Sequence, residues 1–291
     1  MKKEIAKQSI MLMGPVGAGK SLLSQNLEKR TGKLAITLDI MRHCPKDVKD
    51  IEAEKAEAEN RAVVIRKMLG EEKDPKRVAE LERQLARTEN LIWVCDTRIP
   101  IRKALPKLPN YEELGYNEKI SREIQDRAGE LGLNRSVAWH YYQKRFENEL
   151  LGSLVEQLEV PAIIDLGGGV PICLTKDYQI IYKKAVEMGF DIEKYMPKPE
   201  VLEKQTNEVF SAFPKENIFY LELPRDYKKT MEKAGHEPLN DTFIGTGQYQ
   251  ERAGEIIKVG EMIEGKTINQ DAVDRNCAHI IETTLSQGQV Q

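Results

Sequence analysis

Apolar residues along the chain fall into two patterns. Some sit in short solid runs, which read as strands buried on both faces. Others recur every three or four positions, which reads as helices with one buried stripe. Ser9-Ile10-Met11-Leu12-Met13 is the first solid run. Leu22 to Arg30 follows with helical spacing, Leu23 and Leu27 on one face, and Thr31-Gly32 ends it. Leu34 to Leu38 predicts a second strand, stopping at Asp39. Pro161 to Leu166 predicts a third.

Between the second and third strands the pattern changes. From Pro45 to about Asn117, Glu, Lys, Arg and Ala dominate. Val48, Ile51, Ala58, Ala62, Ile65 and Leu69 follow alternating three- and four-residue steps, interrupted at Lys55. Val78, Leu81, Leu85, Ile92 and Cys95 do the same, interrupted at Thr88. Gly70 is placed to end the first helix, Asp74 to cap the second, and Pro75 suits its first position. The pattern predicts an antiparallel helical hairpin, residues 46–96, with a coiled-coil seam. It serves as a lid, as an arm pairing two chains in a homodimer, or as a solvated spacer. Pro100, Pro106 and Pro109 are expected to break regular structure and lead back to the core. Two more helices follow, Ile120 to Leu131 and Asn134 to Leu158, the second capped by Asn134. Tyr142, Phe146, Leu150, Leu154 and Leu158 recur every four residues and are expected to face the core, with Arg145 beside them.

Composition narrows the picture. A length of 291 residues fits two domains or one domain with a large insertion. The net charge of -3 argues for neither a nucleic acid nor an anionic membrane as partner. No apolar run is long enough for a signal-peptide core or a membrane span. Cys44, Cys95, Cys173 and Cys277 are scattered without a C-x-x-C, so a reducing, cytoplasmic setting is the default. Cys277 and His279 offer two metal ligands, or simply two positions on a helix.

The candidate chemistry gathers at the strand ends. Gly14-Pro15-Val16-Gly17-Ala18-Gly19-Lys20-Ser21 fits the phosphate-binding pattern G-x-x-x-x-G-K-[ST], between a strand and a helix. Glycines let backbone N–H groups turn inward around a phosphate, and the helix N-terminus adds partial positive charge. Lys20 is the group that reaches the outer phosphates of ATP, and the Ser21 hydroxyl is a ligand for Mg²⁺. Asp39, at a strand end, either takes the proton of an acceptor hydroxyl or caps the helix that follows. Arg42 and His43 lie close to it in sequence. Asp165 ends an apolar run in the manner of a Walker B carboxylate, which makes it a second metal ligand. Gly167-Gly168-Gly169 lets the backbone approach a ligand closely.

In this order, the phosphate loop, Asp39, the helix with Arg145 and the glycine triplet resemble shikimate kinase. Asn217 to Pro224 is similar to that family's fourth strand, Gln248 to Ile257 to the segment leading into its fifth, and Asp271 to Leu285 to its closing helix. The resemblance covers residues 1–45 and 118–291 and leaves 46–117 as an inserted hairpin and linker. It implies an α/β P-loop kinase fold, with a five-stranded parallel sheet in the order 2-3-1-4-5 and helices on both faces. It also implies ATP, Mg²⁺, and phosphoryl transfer to a small hydroxylated acceptor held by Asp39, Arg145 and Gly167, Gly168 and Gly169. The sequence departs from the family at several points. Thr37 stands where the family has an acid, and Asp165 where it has a neutral residue. Glu237 and Gly245 stand where it has two arginines. Lys228, Lys229, Lys233 and Arg252 are nearby cations. Residues 171–214 form an extra helical pair around Pro197 and Pro199. Three functions fit: a kinase with another acceptor, shikimate kinase itself, or a nucleotide-dependent regulator or scaffold with little transfer.

Overall fold

The solid apolar runs become strands of one parallel sheet. The computed structural model describes residues 2–14, 18–132, 135–166, 176–187, 189, 193, 197–222, 251–258 and 270–288. Strand β1 spans Ile10–Met13, β2 Ala35–Thr37, β3 Ile163–Asp165, β4 Ile218–Glu222 and β5 Glu255–Lys258. Their order is β2-β3-β1-β4-β5 and each pairing is parallel. The α/β class and strand order are those expected. The strands are shorter than the apolar runs. β2 pairs only with β3, over Ala35 to Thr37, so β3 sets its length, and Leu38 already begins a helix.

Alternation along the strands divides the core. Ile10, Leu12, Ile163, Phe219, Leu221 and Ile257 share one cluster. Leu23 and Leu27 of α2 (Lys20–Thr31) join it, with Val273, Cys277 and Ile280 of the closing helix Gln270–Gly288. Met11, Met13, Ile164 and Tyr220 lie on the other face and are equally buried. The sheet is therefore covered on both sides, as solid apolar strands require. Gly32 ends α2 in the left-handed region, φ 69°, its N–H donating to the Glu28 carbonyl. A short helix not expected from the sequence, α1 (Lys2–Ala6), precedes the sheet. Ser9 ties that start together, donating to the Ile5 carbonyl and accepting from the Ala162 N–H.

The chain divides into two compact units, Met1–Asp39 with Tyr111–Gln291, and Ile40–Asn110. Composition drew these boundaries at 45/46 and 117/118. Contacts move both. Tyr111 and Tyr116 stack with Tyr142 and Phe146, ring centroids 5.2–5.7 Å apart, so 111–117 packs with the sheet unit. Arg98, Arg102 and Asn110 bind carbonyls of Ile40 and Cys44, so 40–45 packs with the hairpin.

The short helix α3 (Leu38–Met41) spans the boundary, and the hairpin unit then holds α4 (Val48–Glu71) and α5 (Pro75–Ala104). Asp74 caps α5 by accepting from the Lys76 N–H at 3.0 Å. Ile51, Ala58, Ala62 and Ile65 of α4 are buried with Leu81, Thr88 and Cys95 of α5. Neither interruption breaks the seam. The Thr88 hydroxyl donates to the Gln84 carbonyl, four residues back. Lys55 crosses to Asp96 at 2.6 Å. Arg66–Glu89 and Arg98–Glu54 complete an antiparallel ladder of charges. α4 ends at Glu71, one residue past the expected Gly70, but the expected break at Pro100 does not occur and α5 runs on to Ala104. An interior proline forfeits one backbone bond and crowds the preceding turn. Buried Ile101 and Arg102, just beyond it, supply contacts that keep the helix going.

The remaining helices belong to the sheet unit: α6 (Glu118–Glu130), α7 (Arg135–Gln157), α8 (Lys176–Glu187) and α9 (Pro199–Phe210). Asn117 caps α6 through the Lys119 and Ile120 N–H groups. Asn134, the expected cap of α7, lies outside the described residues. Among the described residues no helix is long and apolar enough to cross a membrane.

Candidate functional site

Of the five strand ends at the sheet's C-terminal edge, those of β1, β2 and β3 bring Lys20, Asp39 and Asp165 within reach of one another. In open α/β sheets ligands bind there, where the strand order reverses. β1 runs out at Gly14, whose φ of 146° suits glycine alone. A Cβ at this position would stand 2.7 Å from the Leu221 carbonyl oxygen, so β4 backbone closes the space. Gly19 precedes α2 in the left-handed region, φ 79°. Ala18 and Lys20 are buried. Pro15, Val16 and Gly17 lie outside the described residues.

Lys20 turns back to Gly14, its Nζ donating to the Gly14 carbonyl at 2.9 Å. Burial pulls its ammonium below the ordinary lysine range, and the Asp165 and Asp39 carboxylates oppose that shift. Both acids thus act on the lysine. Asp165 is fully buried and accepts a 2.7 Å hydrogen bond from the Ser21 hydroxyl. The register explains the meeting. Asp165 is the ladder partner of Leu12 in β1 and of Thr37 in β2. Its side chain therefore stands between the strand feeding the glycine loop and the strand feeding Asp39. Asp39 lies inside the first turn of α3, which begins at Leu38, and so does not cap that helix from outside.

On α7 the structure places Arg145 and its neighbour Lys144 in different surroundings. Arg145 is partly exposed, pairs with Glu149 at 2.8 Å and lies 5.6 Å from the Phe146 ring centroid. The buried cation of this helix is Lys144, 3.5 Å from the buried carboxylate of Glu147. Gln143 and Asn148 are buried with them, and Asn148 donates to the Thr206 hydroxyl of α9 at 2.9 Å. The aromatic–leucine stripe is buried as expected, but helices on more than one side cover α7, so its polar residues are enclosed too. The sequence signal was the pair Lys144 and Glu147, three apart on one face, which reads equally well as a solvated face.

Other candidates separate. Gly167, Gly168 and Gly169 lie outside the described residues, as do Lys228, Lys229, Lys233, Glu237 and Gly245. Arg252 is committed to α9, bonded to Asn207 Oδ1 at 3.0 Å and 5.6 Å from the Phe210 ring centroid. His43 is exposed and Arg42 half-buried. Cys277 sits in the core while His279 faces outward against Glu255, so the two do not form a ligand pair. Among the described residues no cluster of three or more His, Cys, Asp or Glu side chains could hold a metal. The oxygen set of Ser21 and Asp165 matches the sparser protein share of a Mg²⁺ site, which is completed by phosphate and water.

The arrangement pairs a buried cation beside a helix N-terminus with a hydroxyl–carboxylate couple and a second carboxylate. That combination can hold a polyphosphate and its cation, and can accept a proton alongside them. Compared with family models, curated proteins and solved structures, the chain matches none.

Proposed function

We propose that the protein is a P-loop phosphotransferase that moves the γ-phosphoryl group of ATP to a hydroxyl of a small-molecule acceptor. The observation that carries the reading is Lys20, an ammonium buried at the start of α2 and under the influence of both Asp165 and Asp39. A buried ammonium at a glycine-lined helix start is suited to a polyphosphate. The acceptor oxygen bonds to phosphorus as the bond to the bridging oxygen of ADP breaks. Asp39 takes the proton that the acceptor releases. Lys20 offsets charge on the transferring oxygens, where preorganised charge is most effective. Mg²⁺, held by Ser21 and Asp165, would supply further neutralisation of the phosphates.

Asp165 also accounts for the departure at Thr37. The two are ladder partners on neighbouring strands, so the carboxylate the resembled family keeps on β2 has its equivalent one strand across. For the acceptor, Lys144 is the better candidate than Arg145. Its ammonium is buried on the helix that precedes β3, beside the Glu147 carboxylate. Its carboxylate partner Glu147 and the absence of an arginine at Gly245 favour an acceptor other than a simple acid.

The test is ADP release with a panel of hydroxy acids, polyols and nucleosides, chosen by thermal shift with an ATP analogue. One or more should give saturable turnover that Lys20→Ala lowers by about 100-fold or more. Lys144→Met should raise acceptor KM while Arg145→Ala leaves it unchanged. Efficient turnover with shikimate would assign the resembled family's own activity. Tight nucleotide binding with no acceptor-dependent turnover across the panel would favour a nucleotide-dependent regulator or scaffold instead.

A further inference from the structure

Helix α5 grips the segment that follows Asp39. Arg98 Nε donates to the Ile40 carbonyl at 2.8 Å, and its Nη1 lies 3.5 Å from Glu54 on α4. Arg102 is fully buried one turn further on. Its Nη1 donates to the Leu108 carbonyl and its Nη2 to the Cys44 carbonyl at 3.3 Å. The same Cys44 oxygen accepts from Asn110 Nδ2 at 3.2 Å. Among the described residues Arg102 Nε has no hydrogen-bond partner.

This is a costly way to fill space. A guanidinium keeps its charge at any ordinary pH, and burying it against carbonyl groups sacrifices hydration. An apolar side chain of similar volume would serve packing at lower cost. What the arginine adds is a rigid fork of donors that fixes two carbonyls at once. Arg102's hold on Cys44 and Arg98's on Ile40 together bound one short stretch, Ile40 to Cys44. Asp39 and Ile40 are consecutive residues of α3, a helix of four residues. So short a helix has no stability of its own, and its orientation comes from whatever holds its ends.

We propose that Arg98 and Arg102 are positioning residues that lock Ile40–Cys44 and thereby aim the Asp39 carboxylate at the acceptor hydroxyl. The acceptor part of this inference rests on the phosphotransferase reading, whereas the lock itself does not.

The test compares the full-length wild type with Arg98→Ala, Arg98→Lys and Arg102→Met. Amide hydrogen exchange is read over residues 38–45, along with nucleotide affinity and the acceptor KM and kcat. In Arg98→Ala, exchange across this segment should rise about tenfold, the consequence of losing one hydrogen bond from a charged donor. Exchange in β1 and α2 and the affinity for ADP should stay as in wild type. Acceptor kcat/KM should fall about 10- to 100-fold, the range for residues that orient a reacting group. Arg98→Lys keeps a charged donor group but not the fork, and should recover part of both effects. If Arg102→Met fails to fold, Arg98→Ala carries the test. Unchanged exchange at 38–45 would overturn the lock. Raised exchange with unchanged kcat/KM would overturn its role in aiming Asp39. Absence of acceptor-dependent turnover in the wild type would instead sink the phosphotransferase reading and the acceptor clause with it, while exchange would still decide the lock.

Discussion

The bond between Ser21 and Asp165 joins the helix start to the middle of the sheet, and its removal can be quantified. Asp165 is fully buried and the bond is 2.7 Å long. A hydrogen bond to a charged group contributes about 1.5–3 kcal/mol, against about 0.5–1.5 kcal/mol between neutral groups. Asp165→Asn converts one kind into the other but also removes the cost of burying a carboxylate, so its single effect on stability has no firm sign. The coupling in a double-mutant cycle does. Ser21→Ala, Asp165→Asn and the double variant, unfolded in urea without nucleotide, should give a coupling of about 1–2 kcal/mol. Losing the carboxylate also removes the larger of the two acidic influences on Lys20, so the lysine should fall further below its ordinary range. The same substitution should raise the Mg²⁺ concentration needed for half-maximal nucleotide-dependent stabilisation by about 10- to 100-fold, while metal-free ADP binding changes little. Asp39→Asn should leave that Mg²⁺ requirement alone and lower turnover. A coupling under about 0.3 kcal/mol, within the scatter expected of independent sites, would refute the bond. An unchanged Mg²⁺ requirement would refute the metal role.

Gly14→Ala should destabilise the protein by about 2–4 kcal/mol in urea unfolding, since its Cβ meets the Leu221 carbonyl and its φ is strained. Burial pushes the Cys277 thiol up to about 11 from an ordinary 9, so it stays neutral in the fold where the unfolded chain ionises. Its contribution is present below pH 9 and lost as pH rises to about 11, and thermal melts should show a shallower decline over that window in Cys277→Ala than in wild type. Replacing Val48–Ala104 by a short Gly/Ser link should leave a cooperatively folding, ADP-binding sheet unit. Light scattering of both forms tests the dimer-arm reading of the hairpin: a dimer for the full chain and a monomer for the shortened one would support it, and a monomer for both would refute it.

Local pattern alone identified the glycine loop between strand and helix, the strand ahead of Asp165, the hairpin seam and the leucine stripe of α7. Each is a matter of near neighbours: a solid apolar run suits a sheet covered twice, and a four-residue recurrence suits one helix face. The β2-β3-β1-β4-β5 order came from resemblance rather than periodicity, because strand pairing joins residues such as Leu12 and Asp165 that lie far apart in the chain. Tertiary packing decided the rest. It let α5 pass through Pro100, because contacts beyond a breaker outweigh the one bond it forfeits. It moved the unit boundaries to 39/40 and 110/111, because aromatic stacking and arginine–carbonyl bonds answer to proximity rather than composition. On α7 it buried Lys144 and turned Arg145 outward. Two adjacent cations carry the same charge in the sequence, yet they point about 100° apart around a helix, and only the neighbours packed against it determine which one is enclosed.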